Sequence, residues 1–136
     1  MRQTNYRAVV ATSWGGMLAL LIAMLILEPL RYAMNGQYEA LTSLLRHDPG
    51  PTGLQVLIAL LCLNVLVQVT VHARECRTAK VSILVLSVLY GMFFLIHTVA
   101  HFLGGDALGM QLVLDMTHHA LAALAIWGAW RWQRAA

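Results

Sequence analysis

Long apolar stretches alternate with short polar segments along the whole chain. No Asp, Glu, Lys, Arg or His falls between Arg7 and Glu28, or between Asp48 and His72. After Lys80 the remaining apolar sequence is interrupted only by histidines and two aspartates until the basic C-terminal segment. Because a helix needs about 20 mostly apolar residues to cross a bilayer, the pattern predicts four transmembrane helices. They are expected at about 8–30, 54–73, 81–103 and 107–130.

The connections between these helices are short, apart from the segment 31–52. Short connections favour an up-down antiparallel bundle, so the fold class expected is an all-α integral membrane protein with one domain over residues 1–136. Turn signals at Asn35-Gly36 and Asp48-Pro49 bound the long connection. The residues between them predict a short amphipathic helix on the outer surface, with Tyr38, Leu41, Leu44 and Leu45 on its apolar face.

The composition agrees with a membrane location. Hydrophobic residues make up 60% of the chain and charged residues 11%, against about 45–50% and roughly 25% in soluble domains. A chain this short cannot bury that much apolar surface in one core. These values exclude a soluble enzyme, a disordered tail and a secreted disulfide scaffold. The chain also lacks a nucleotide-binding motif, which argues against an ATP-driven pump.

Basic residues are concentrated at one end of the predicted bundle. Only Arg31 and Arg46 flank the other end. Since positively charged loops stay in the cytoplasm, both termini are expected inside a bacterial-type cytoplasmic membrane. The basic pI of about 9.2 follows from this asymmetry, so no nucleic-acid partner is expected. The expected partners are the lipid bilayer and either other membrane subunits or a second copy. The basic residues at the cytoplasmic end are Arg2, Arg7, Arg74, Arg77, Lys80, Arg131 and Arg134.

Polar residues that can bind a metal occur in the third and fourth predicted helices. His97 and His101 are four residues apart, so both imidazoles lie on one helix face. Asp115, His118 and His119 form a second group on the next helix. The hairpin brings both groups into the outer half of the bundle. Imidazole with carboxylate suits zinc or iron, and imidazole also suits copper. The sequence therefore predicts a transition-metal site formed by these five residues.

Two known patterns are similar to parts of this cluster. Asp115-Met116-Thr117-His118 resembles the Glu-x-x-His element of carboxylate-bridged di-iron bundles, which implies a role as metal ligands. His97 and His101 also fit the first histidine box of membrane desaturases and hydroxylases, which bind two irons. The second box is incomplete here because Asp115 replaces its leading histidine, and a third box is missing. No family is assigned on these residues.

Four other polar residues are expected to support the metal ligands. Asn64 and Gln68 share one face of the second helix and should point inward, because an amide in lipid is costly. Tyr90 lies on the same face of the third helix as Ser87 and Phe94. Glu28 reaches the outer half of the bundle from the first helix.

The functional hypothesis is a small membrane protein that holds a transition metal for metal handling or redox work. Other interpretations remain open. The histidines could ligate a b-type haem axially, or they could form a proton relay with Asp115 in a small proton-coupled transporter. They could instead be hydrogen-bonded packing groups in an accessory subunit of a larger membrane complex. Whether the protein is an enzyme stays open at this point.

Overall fold

The computed structural model describes residues 5–34, 36, 39, 53–73, 76–104 and 110–135. The described chain is helical and contains no strand. Each helix includes a segment that is long and apolar enough to cross a membrane, which confirms the predicted number of such helices. The helices are α1 (Tyr6–Met34), α2 (Gly53–Ala73), α3 (Arg77–Gly104) and α4 (Met110–Arg134).

Most helices extend beyond their predicted ends. Helix α1 continues through Pro29 to Met34, because one proline removes a single backbone hydrogen bond and the helix can resume after it. Helix α3 begins at Arg77 and α4 ends at Arg134. Hydropathy marks only the apolar part of a helix, whereas the backbone hydrogen bonds continue into the charged residues beside it.

A glycine follows the C-terminus of α1. Gly36 has a φ of 68° and donates its amide hydrogen to the Ala33 carbonyl at 3.2 Å. Glycine adopts this left-handed conformation without a steric penalty, so the turn predicted at Asn35-Gly36 is confirmed at its second residue. The amphipathic helix predicted between this turn and Asp48 falls, apart from Glu39, on residues outside the described part of the chain.

Helix α1 packs between α2 and α4, and α3 packs on the other side of α4. Small residues allow the close approach of α1 and α4. A methyl group added at Gly128 would lie 3.1 Å from Val9 and 3.2 Å from Val10, and one at Gly16 would lie 3.0 Å from Leu121. Among the pairs of helices that pack together, α2 and α3 contact each other least. The largest fully buried apolar side chains of the core are Trp14, Met17, Leu21 and Ile83.

Basic and aromatic side chains join the helices at the end where α1 and α3 begin. Arg7 donates hydrogen bonds to the carbonyls of Val71 and His72, at 2.8 and 2.6 Å. Arg131 donates to the Tyr6 hydroxyl at 3.1 Å, and Lys80 lies 5.3 Å from the Trp132 ring. The start of α1 is thereby tied to the ends of α2 and α4. We call this part of the molecule the basic end.

Candidate functional site

A tyrosine and a histidine form a hydrogen bond in the interior between α3 and α4. The Tyr90 hydroxyl oxygen lies 2.9 Å from His118 Nε2. Tyr90 is 2% exposed and His118 is 1% exposed. The two residues face each other because α3 and α4 pack together as an antiparallel pair that places them at the same height. This pair is the centre of the candidate site.

Aromatic rings enclose the pair. The Phe94 ring is stacked on His118, with centroids 3.9 Å apart and planes 16° apart. Tyr90 lies 4.8 Å from Phe94 and 4.9 Å from Trp14, centroid to centroid. These rings and the hydrogen bond fix the His118 imidazole between α3 and α4, so its ring nitrogens face groups of the protein interior.

Separate hydrogen bonds lie between the pair and the basic end. Trp14 donates its indole hydrogen to Ser87 Oγ at 3.1 Å, and Ser87 donates in turn to the Ile83 carbonyl at 2.7 Å. Gln68 donates its amide hydrogen to the Ala11 carbonyl at 2.7 Å. The inward position predicted for Gln68 is therefore confirmed.

Asn64 is fully buried on α2 and interacts with the Tyr90 side chain. Neither of its amide atoms reaches hydrogen-bond geometry with any group in the described part of the chain. An amide in an apolar interior without hydrogen bonds is destabilising. The site therefore contains a polar side chain that packing alone does not favour.

Asp115 lies one helical turn from His118 on α4 and is also buried, at 2% exposure. Since α4 runs opposite to α3, Asp115 is farther from the basic end than His118. Gln68, Ser87, Tyr90, His118 and Asp115 thus follow one another through the bundle interior, and we call them the polar column. At 1.5 Å per residue, Ser87 lies about 4.5 Å from Tyr90 along α3, and Asp115 lies about 4.5 Å from His118 along α4.

His119 and His97 lie beside the column. His119 donates from Nδ1 to the Asp115 backbone carbonyl at 2.6 Å, which directs the ring along its own helix. The His97 ring lies parallel to Phe93, with centroids 6.4 Å apart, and edge-on to Phe94. Both histidines are close enough to His118 to interact with it electrostatically.

The predicted metal-holding function is wrong for the part of the chain that the structure describes. No three His, Cys, Asp or Glu side chains there are grouped so that they could hold a metal ion. The physical reason is that His118 bonds Tyr90, His119 bonds a backbone carbonyl and His97 packs on Phe93. His101 lies in α3 and Glu28 in α1, but their side chains are outside the described residues.

Three of the residues expected to support a metal lie in or beside the candidate site, where Tyr90 bonds His118 and Gln68 bonds the Ala11 carbonyl. Asn64 and Tyr90 lie at the centre of the site, and Gln68 is at its basic side. Trp14, which contacts Tyr90 and donates a hydrogen bond to Ser87, was not among the predicted site residues. An available signal was the indole N–H itself, which needs a partner when a tryptophan lies within a buried apolar helix.

Comparisons with known proteins give no family for this chain. No protein-family model, no curated protein and no solved structure matches it. Functional inference therefore depends on the geometry of the polar column and on the surface around it.

Proposed function

We propose that the chain is a small integral membrane protein that relays protons through the polar column. The observation that carries the proposal is the buried hydrogen bond between Tyr90 and His118, with Asp115 buried one turn away. Ionisable groups are costly at membrane depth and are typically functional there, for example in proton relays. A set of such groups along one axis supports transfer between them.

The membrane location is supported by the outer surface of the bundle. Large apolar side chains are exposed on it, for example Ile26 at 60%, Ile96 at 66% and Val113 at 64%. Contiguous apolar surface on this scale is unfavourable in water. The proposed location is a bacterial-type cytoplasmic membrane, with both termini in the cytoplasm because the basic end carries the positive charge.

Cys76 offers a direct test of this orientation. It is exposed at the basic end, between α2 and α3. A membrane-impermeant thiol reagent should label Cys76 in inverted vesicles and leave it unlabelled in intact cells. A Cys62→Ser background removes the second cysteine from the assay. Labelling of Cys76 in intact cells would reverse the orientation.

The proposed transfer uses both nitrogens of His118. A neutral imidazole that accepts a proton at one ring nitrogen can release the proton held at the other, and then returns to its first tautomer. At Nε2 the exchange partner is the Tyr90 hydroxyl. Asp115 serves as the carboxylate acceptor on the side away from the basic end, and His97 and His119 are the other titratable neighbours.

Proton uptake into liposomes tests this function. The protein is reconstituted with a pH-sensitive dye inside, and a potassium gradient with valinomycin provides the driving voltage. Tyr90→Phe removes one oxygen and keeps the ring that contacts Trp14 and Phe94. We expect it to slow protein-dependent uptake at least about 100-fold, the usual contribution of a positioned proton-transfer group. Asp115→Asn and His118→Phe should have similar effects.

Matched variants control for loss of structure. Tyr6→Phe removes an exposed tyrosine hydroxyl at the basic end, and His72→Phe removes an exposed histidine ring. Both should leave uptake unchanged. Equal uptake by the native protein, Tyr90→Phe and protein-free liposomes would overturn the relay and favour a subunit that uses its polar groups for packing. A b-type haem stays a prediction, which the absorption spectrum of the purified protein decides.

A further inference from the structure

A groove separates α2 from α3 on the side toward the basic end. Its volume is about 480 Å³, within the range of pockets that hold small molecules. This is also where two neighbouring helices of the bundle contact each other least. The lining residues are Leu66, Val67, Thr70, Cys76, Thr78, Ala79, Ser82, Ile83 and Leu86.

The groove changes from apolar to polar along its length. Its part nearer the middle of the bundle contains Leu66, Val67, Ile83 and Leu86, whereas Cys76 and Thr78 lie at the basic end. A ligand that matches this surface has a long apolar portion and a polar group at one end. A phospholipid in the adjacent leaflet has that distribution.

Basic residues lie at the polar end of the groove, which we call its mouth, and favour anionic phospholipids over neutral ones. Arg77 is exposed between two lining residues, Cys76 and Thr78, and Lys80 follows one turn later on α3. The sequence of the turn contains one acidic residue, Glu75, so the basic residues outnumber it. Basic residues near a membrane surface attract anionic lipids.

From this shape and charge we propose that the groove binds one anionic phospholipid, with an acyl chain between α2 and α3 and the phosphate at Arg77. The proposal uses the membrane location proposed above, but it is independent of proton transfer. A single basic residue near an anionic surface corresponds to about a fivefold change in affinity. Loss of Arg77 should weaken binding by about that factor.

Native mass spectrometry of the detergent-purified protein tests the proposal. The native protein is mixed with phosphatidylglycerol or with phosphatidylcholine that has the same acyl chains. We expect one phosphatidylglycerol to be retained in preference to phosphatidylcholine. Arg77→Gln should weaken retention about fivefold, whereas Arg134→Gln, on α4 at the same end, should not. Inorganic phosphate alone should not compete.

A second pair of variants tests the groove itself. Ser82→Trp places a large ring in the groove, and Val85→Trp places the same ring on an exposed position of α3 that does not line it. Ser82→Trp should abolish selective retention, while Val85→Trp keeps it. Size-exclusion chromatography confirms that each variant is folded and monodisperse before it is compared.

Three results would overturn the proposal. Equal retention of both lipids would show that the mouth does not select charge, and phosphatidylglycerol bound equally by Ser82→Trp would place it elsewhere. A dimer that forms through α2 and α3 and excludes lipid would assign the groove to a second copy. Proton uptake is measured separately, so a loss of lipid selectivity with intact uptake distinguishes this failure from failure of the relay.

Discussion

Where α1 meets α4, small residues let the two backbones approach, with Gly128 against Val9 and Val10 and Gly16 against Leu121. Where α2 faces α3, the lining includes Leu66, Val67, Ile83 and Leu86, and a groove remains. In lipid, helix association depends on close packing more than on the hydrophobic effect. The difference teaches that glycines at a helix contact, here Gly16 and Gly128, allow close packing, whereas no glycine is among the residues that line the groove between α2 and α3.

The largest expected effect is the loss of Trp14, which lies on the closely packed side of the bundle. Trp14→Ala removes a fully buried ring and the donor to Ser87, so the free energy of unfolding should fall by about 3–5 kcal/mol. Leu66→Ala, at a half-exposed position beside the groove, should change it by less than about 0.5 kcal/mol. Unfolding of both variants in mild detergent measures the difference; equal losses would contradict the comparison.

A leucine introduced at each of the two helix contacts tests directly whether the contacts differ in packing. Gly128→Leu forces a side chain against Val9 and Val10, since even an added methyl group would lie only 3.1 Å from Val9. Overpacking of this kind should cost about 1–3 kcal/mol. Ser82→Leu adds a similar volume at the groove and should cost less than about 0.5 kcal/mol. Thermal unfolding of the two variants measures this; a larger loss for Ser82→Leu would reverse the assignment.

Asn64, on α2, tests whether a buried amide stabilises or destabilises the bundle. Asn64→Leu replaces a buried amide that reaches no hydrogen-bond geometry among the described groups. The variant should be more stable by about 1 kcal/mol, because the desolvation cost of the amide is removed. Denaturant unfolding tests the sign. A loss of stability would mean that the amide supports the contact between α2 and α3.

The smallest effect is expected at Gly91, where α3 meets α4. A methyl group there would lie 3.4 Å from Ile126 and 3.7 Å from Ala122, at ordinary contact distances. Gly91→Ala should therefore raise stability by about 0.5–1 kcal/mol through the better helix propensity of alanine. Gly128→Ala is the matched control and should lower stability. An increase in stability for both variants would show that helix propensity, and not space, controls both positions.

The four long apolar helices were predictable, because the intervals between charged residues match the length of helix that can cross a bilayer. The face of α3 with Ser87, Tyr90 and Phe94 was also predictable, since periodicity determines which residues share a face. Side-chain partners were not predictable from periodicity. His118 could turn toward a metal shared with His97 or toward Tyr90, and the choice depends on the space that Phe94 and Trp14 leave beside it. The positions of Phe94 and Trp14 thus determine that His118 bonds Tyr90.

The hydrogen bonds of Arg7 also bear on the order in which the helices assemble. The carbonyls of Val71 and His72 belong to the last turn of α2 and have no partner within that helix. Arg7 supplies their donors, so the first turn of α1 and the last turn of α2 complete each other. The α1–α2 hairpin can therefore close as soon as the chain has been synthesised as far as residue 73. Helices α3 and α4 would then be added to a hairpin in which the Arg7 guanidinium already has backbone carbonyls as hydrogen-bond acceptors.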